Sequence, residues 1–112
     1  MKDAVVLGTI NDMGRADEKL QLTLIGKYFD LLLQNGNLPA AICFYTDGVK
    51  LICEGSPVTG QLRTLESKKV RLIICSTYLN YFGLNEKLQV GIVGGVGDIV
   101  EAQMKADKAI TI

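Results

Sequence analysis

Histidine is missing from this chain altogether. Its absence removes the Cys–His dyad, the Ser–His–Asp triad and most zinc sites, since each needs an imidazole as base or ligand. Charge of one sign is missing too: 12 Lys and Arg balance 12 Asp and Glu. Without a basic excess, neither nucleic acid nor an anionic membrane is expected as a partner. No apolar run approaches the roughly 20 residues of a membrane span. The run Ala4–Leu7 is too short for the core of a secretory leader, so a cytoplasmic location is expected. Cysteine is scarce: three residues, an odd number, with no CxxC pair. A reduced protein without a disulfide framework follows. Gly94-Gly95-Val96-Gly97 is neither a dinucleotide fingerprint nor a Walker loop, and Asp98 behind it would repel phosphate. No metal, nucleotide or flavin is expected.

What is present suits one α/β domain over residues 1–112. Apolar types make up 48% of the chain and its mean hydropathy is +0.25, enough for a real core and rich for a lone monomer. Val5–Ile10 reads as a strand, and Asp17 caps a helix to about Gln34 with Asn35-Gly36 as its stop. Leu20, Leu24, Tyr28, Leu31 and Leu32 form its expected inner face, widened by Ile25 and Phe29. Ala41–Tyr45 is a second strand. Ser56-Pro57 reads as cap and first position of a helix that turns Leu62 and Leu65 inward. Val70–Cys75 is a third strand, and a short piece over Tyr78–Phe82 follows. Leu88–Val93 is a fourth strand. Asp98-Ile99-Val100-Glu101 reads as a capping box opening a last helix, with Val100, Met104 and Ala106 toward the sheet. Ala109–Ile112 closes the chain as a fifth strand.

Strands alternating with helices imply a parallel sheet with right-handed crossovers. The loops after the strands then gather at one edge, where ligands and chemistry collect in such folds. Cys75 stands at that edge, where an apolar strand runs out. A thiol there can be desolvated on one side and reachable on the other, which suits a nucleophile. Cys53, just before Ser56-Pro57, is a second candidate, able to act alone or to pair transiently with Cys75. Cys43, among Ile42, Phe44 and Tyr45, reads as core. Asn11, Arg15, Lys50, Glu54, Ser56, Thr77 and Tyr78 fall in the same loops as candidate binding residues. Arg15 or Lys50 could stabilise a Cys75 thiolate.

Four stretches carry a resemblance: Asn11-Asp12-Met13-Gly14-Arg15-Ala16-Asp17, Gly48 to Ser56, Cys75 to Leu84, and Asp98-Ile99-Val100-Glu101 with Ala106 to Thr111. On these the chain resembles the DsrE/DsrF/TusD-like sulfur-relay proteins, and most of all the DsrE-like domain of YedF-type proteins. Gly83, eight residues after Cys75, keeps the family spacing. Two positions depart from it. The usual Cys-Gly-Thr-Cys is Cys75-Ser76-Thr77-Tyr78 here, without the second thiol, and the usual Gly-x-Gly-Asp is Gly14-Arg15-Ala16-Asp17.

The resemblance implies a three-layer α/β/α fold of the DsrEFH type with a five-stranded parallel sheet in order 4-3-2-1-5. It implies a small sulfurtransferase-like protein that carries sulfane sulfur as a persulfide on Cys75. It also implies a homo-oligomer, a trimer or a hexamer, with sulfur donors and acceptors such as TusA-like proteins. The sheet order adds a physical expectation. Only the last helix lands on the second face, and one helix leaves apolar surface there for a partner subunit. The alternative is a non-catalytic oligomeric module of the same fold that binds a ligand or partner.

Overall fold

The computed structural model describes residues 4–8, 17–36 and 38–112, with the side chains of all but Glu18, Thr46, Asp47 and Asn85. Five short strands form its frame: β1 (Ala4–Gly8), β2 (Ala41–Phe44), β3 (Arg71–Cys75), β4 (Ile92–Gly94) and β5 (Lys108–Thr111). They make one sheet in order β4-β3-β2-β1-β5, and every pairing is parallel. This is the predicted order. The helices are α1 (Glu18–Asn35), α2 (Thr59–Ser67), α3 (Ser76–Tyr81) and α4 (Val96–Lys105). A 3-10 stretch, Thr46–Ile52, follows β2, and a shorter one, Asn85–Lys87, precedes β4.

The sheet separates two cores. Side chains alternate along each strand, so Val6, Ile42, Phe44, Leu72 and Ile74 point one way, toward Ile25 and Phe29 of α1 and Leu62 and Leu65 of α2. Val5, Leu7, Ala41, Cys43, Ile73 and Cys75 point the other way, toward Ile99 of α4. Successive connections stepping one way along the sheet put their helices on one side, and the return to β5 puts α4 on the other.

Several local expectations need correction. Asp17 does cap α1, its carboxylate accepting from Leu20 N–H at 3.3 Å, and Gly36 ends it with φ 69°. Its inner face is rotated, however: Ile25 and Phe29 are fully buried, while Leu20, Leu24 and Leu31 are 49%, 40% and 53% exposed. Apolar residues span more than half of this helix's circumference, so period alone does not choose the side. α2 starts at Thr59; Ser56 instead turns the chain, its hydroxyl accepting from Val58 N–H at 3.2 Å. β4 begins at Ile92, because Leu88 bridges Cys53 and Gly91 takes φ 84°, which breaks the extended run.

α4 starts two residues before Asp98, whose carboxylate accepts from Gly95 N–H at 2.9 Å from within the first turn. The start shifts the expected face as well. Ile99 is buried with Ala102 and Ala106 packed beside it, while Val100 and Met104 are 47% and 81% exposed. Besides Leu20, Leu24 and Leu31 of α1, apolar surface is left open along the outer flank of α4 and the edge strand β4, where Ile92 and Val93 are exposed. The central strands of the second face are buried beneath α4, while Ile92, in register with Ile73, and Ala109, in register with Val5, are exposed at its two edges.

Candidate functional site

Cys75 ends β3, and α3 begins at the next residue with no loop between them. Its place in the alternation sends its side chain to the α4 side. There it borders a hollow of about 270 Å³ together with Tyr45, Tyr78, Ile99, Val100 and Gln103. The thiol has no exposed surface. The sequence led us to expect a sulfur open to solvent at the sheet rim. The structure instead closes it over, with Tyr78 and α4 forming the cover.

The other candidates do not join it. Lys50, Cys53, Glu54 and Ser56 line a separate hollow of about 360 Å³ with Leu22 and Leu84. Cys53 belongs to the core on the α1 and α2 side, so the sheet stands between Cys53 and Cys75 and excludes the expected pairing. All three cysteines are free. The Cys53 thiol donates to the Val49 carbonyl at 3.2 Å within the 3-10 stretch. Burial pushes its ionisation up, so at neutral pH it stays a thiol, the weaker nucleophile. Lys50 holds its ammonium 4.6 Å from the Phe82 ring centroid, on the Cys53 side, and does not line the Cys75 hollow. Glu54 lies 3.8 Å from the Lys87 ammonium, an exposed and therefore weak pair. Thr77 is exposed in the first turn of α3. Asn11 and Arg15 lie outside the described residues.

Cys43 is core, as expected, and lies on the same side of the sheet as Cys75. Burial raises its thiol to about 11, against a smaller lowering by the Arg71 guanidinium. Tyr45 and Gln103 are site residues that the sequence reading passed over. Phe44 pairs with Ile74, so the next step along both strands brings Tyr45 beside Cys75 on the same side. Gln103 sits four residues after Ile99, one turn along α4, and becomes visible once the helix face is phased correctly. Burial, then the neighbouring Cys43 and Tyr78, hold the Tyr45 phenol above its ordinary range.

A five-stranded parallel sheet in order 4-3-2-1-5 with helices on both faces places the chain among the three-layer α/β proteins. The chain belongs to the DsrE/DsrF-like family, which matches residues 2–112. Solved structures agree on the fold. The ychN protein of E. coli superposes with a TM-score of 0.73 at 21% identity over 100% of both chains. MTH1491 of Methanobacterium thermoautotrophicum, a protein of unknown function, gives 0.69 at 23% identity over 97% of this chain and 98% of that one. BT1422 of Bacteroides thetaiotaomicron, a conserved protein of unknown function, gives 0.71 at 16% identity over 99% and 95%. A comparison with curated proteins gives no match. No described helix is long and apolar enough to cross a membrane.

Proposed function

We propose that this protein is a small sulfurtransferase-like carrier that holds sulfane sulfur as a persulfide on Cys75. The observation that carries the reading is the position of Cys75: the carboxyl end of a central strand, against a hollow large enough for added sulfur and the tip of a donor. The step is an exchange. The Cys75 sulfur attacks the outer sulfur of a donor persulfide, R–S–SH. The donor S–S bond breaks, R–S leaves with the electron pair and takes up the proton, and Cys75–S–S forms. Oxidation is conserved and no external oxidant enters. Donor and acceptor are proteins of the TusA-like kind. The working form is a homo-oligomer, a trimer or hexamer, assembled through the surface formed by Ile92, Val93, Val96, Val100 and Met104, which are 47–81% exposed.

One observation favours a second reading. A thiol with no exposed surface suits a binding module whose ligand occupies the roomier Cys53 hollow. Incubation with a protein persulfide donor separates the two. A mass gain of about 32 Da, one sulfur atom, that disappears in Cys75→Ser supports the carrier. No adduct, with Cys75 resisting alkylation in the folded protein, supports the module. Light scattering tests the assembly: Ile92→Asp with Val100→Asp is expected to lower the mass, and a parent that is monomeric at working concentration overturns it.

A further inference from the structure

We propose that the phenols of Tyr45 and Tyr78 donate hydrogen bonds to the sulfur anion on Cys75 and take the part that an imidazole plays elsewhere. The inference rests on the carrier reading above. A sulfur anion enclosed at the foot of α4 loses most of its hydration, and an enclosed charge persists only where donors replace that water. The chain has no histidine. Among the described residues that line the hollow there is no lysine or arginine. The side-chain donors among these residues are two phenol hydroxyls and the Gln103 amide, beside the backbone N–H groups that open α3 at Cys75.

Their placement follows from the backbone. Tyr45 stands one step beyond the Phe44–Ile74 pair, which sets it beside Cys75 on the α4 side. Tyr78 comes three residues after Cys75, in the first turn of α3, packs against both cores and lines the hollow with Cys75. Burial, then Cys43 and Tyr78, hold the Tyr45 phenol above its ordinary range. The same influences keep Tyr45 protonated at neutral pH, the form that donates. Cys43 is the other titratable group of this core. From α4, Asp98, Glu101 and Lys105 line a different hollow with Arg71, on the opposite flank of the helix. Hydrogen bonds to an ionised acceptor are the strong ones, and they shift ionisation toward the charged form.

The test is the alkylation rate of Cys75 against pH, read by peptide mass, in the parent, Tyr45→Phe, Tyr78→Phe and the double variant. Phenylalanine keeps the ring and deletes only the hydroxyl. Each single change is expected to slow alkylation at neutral pH by roughly threefold to tenfold and to move the midpoint of the profile to higher pH. A ring that merely covers the thiol predicts the opposite sign: looser packing, faster alkylation at every pH and a fixed midpoint. An unchanged or lowered midpoint in both single variants overturns the proposal. Urea midpoints confirm that each variant is folded, and the single variants decide the matter if the double one is not. A parent that takes up sulfur on Cys75, with tyrosine variants that keep the parent profile, removes this inference and leaves the carrier. A parent that takes up none removes the carrier itself.

Discussion

Ile99 is the buried large side chain through which α4 docks on the sheet, at 5% exposed, and it also walls the Cys75 hollow. Replacing it with alanine tests both roles at once. Buried isoleucine-to-alanine changes cost about 2–5 kcal/mol, the spread reflecting how many contacts are lost. Ile99 already faces open space of about 270 Å³ on one side. It has fewer partners to lose than a residue packed all round, which puts the cost at about 2–3 kcal/mol. Against a total of about 5–15 kcal/mol that is a large share. Urea denaturation at several protein concentrations measures the loss apart from assembly. Cys75 alkylation supplies the second readout. If the thiol meets reagent when α4 lifts, the opening equilibrium shifts by the same free energy, and the rate rises about 30- to 160-fold. A loss below about 1 kcal/mol with an unchanged alkylation rate refutes the reasoning, since α4 would then be held by something other than Ile99.

Gly91→Ala is expected to cost about 2–5 kcal/mol, combining a left-handed backbone with overpacking. At φ 84° an added Cβ would strike the Ile74 Cδ1 and stand 2.9 Å from the Leu72 carbonyl oxygen; a urea midpoint within error of the parent refutes the geometry. Phe29→Ala is expected to cost about 3–5 kcal/mol. Leu24→Gln, on the exposed side of α1, is expected to cost within about 0.5 kcal/mol, and equal losses would restore the inner face expected from period alone. Cys43 makes stability pH-dependent. Its thiol is raised from 9.0 to about 11 in the fold, so its contribution is complete below 9.0 and is lost as pH climbs toward about 11. By about pH 10.5 the stability gap between the parent and Cys43→Ala should have shrunk by roughly 2 kcal/mol, and a gap independent of pH refutes the assignment.

The parallel sheet and the strand-end position of Cys75 were legible in the alternation of apolar runs and helices, and the strand order came from the family resemblance alone. The fourth apolar run was the exception, since only its end, from Ile92, is strand. Helix phase was less legible. α1 is apolar on more than one side, and α4 began earlier than Asp98 suggested, because a carboxylate in the first turn mimics a cap in sequence. The site was only half visible. Chain position groups Lys50, Cys53 and Cys75 together, since all follow strands at the same edge. Which side of the sheet each side chain takes is set by parity along the strand. For Cys53, it also depends on a 3-10 stretch of seven residues, Thr46–Ile52, that no period announces. Tyr45 escaped notice for a related reason: it reads as the last residue of a strand until its register with Cys75 is known.

The sheet works as a partition. A molecule lodged by Lys50 and Cys53 and a sulfur atom on Cys75 would occupy separate rooms, reached through different walls. Changes in one room should leave affinity in the other almost untouched, so selection can remodel either without disturbing its neighbour.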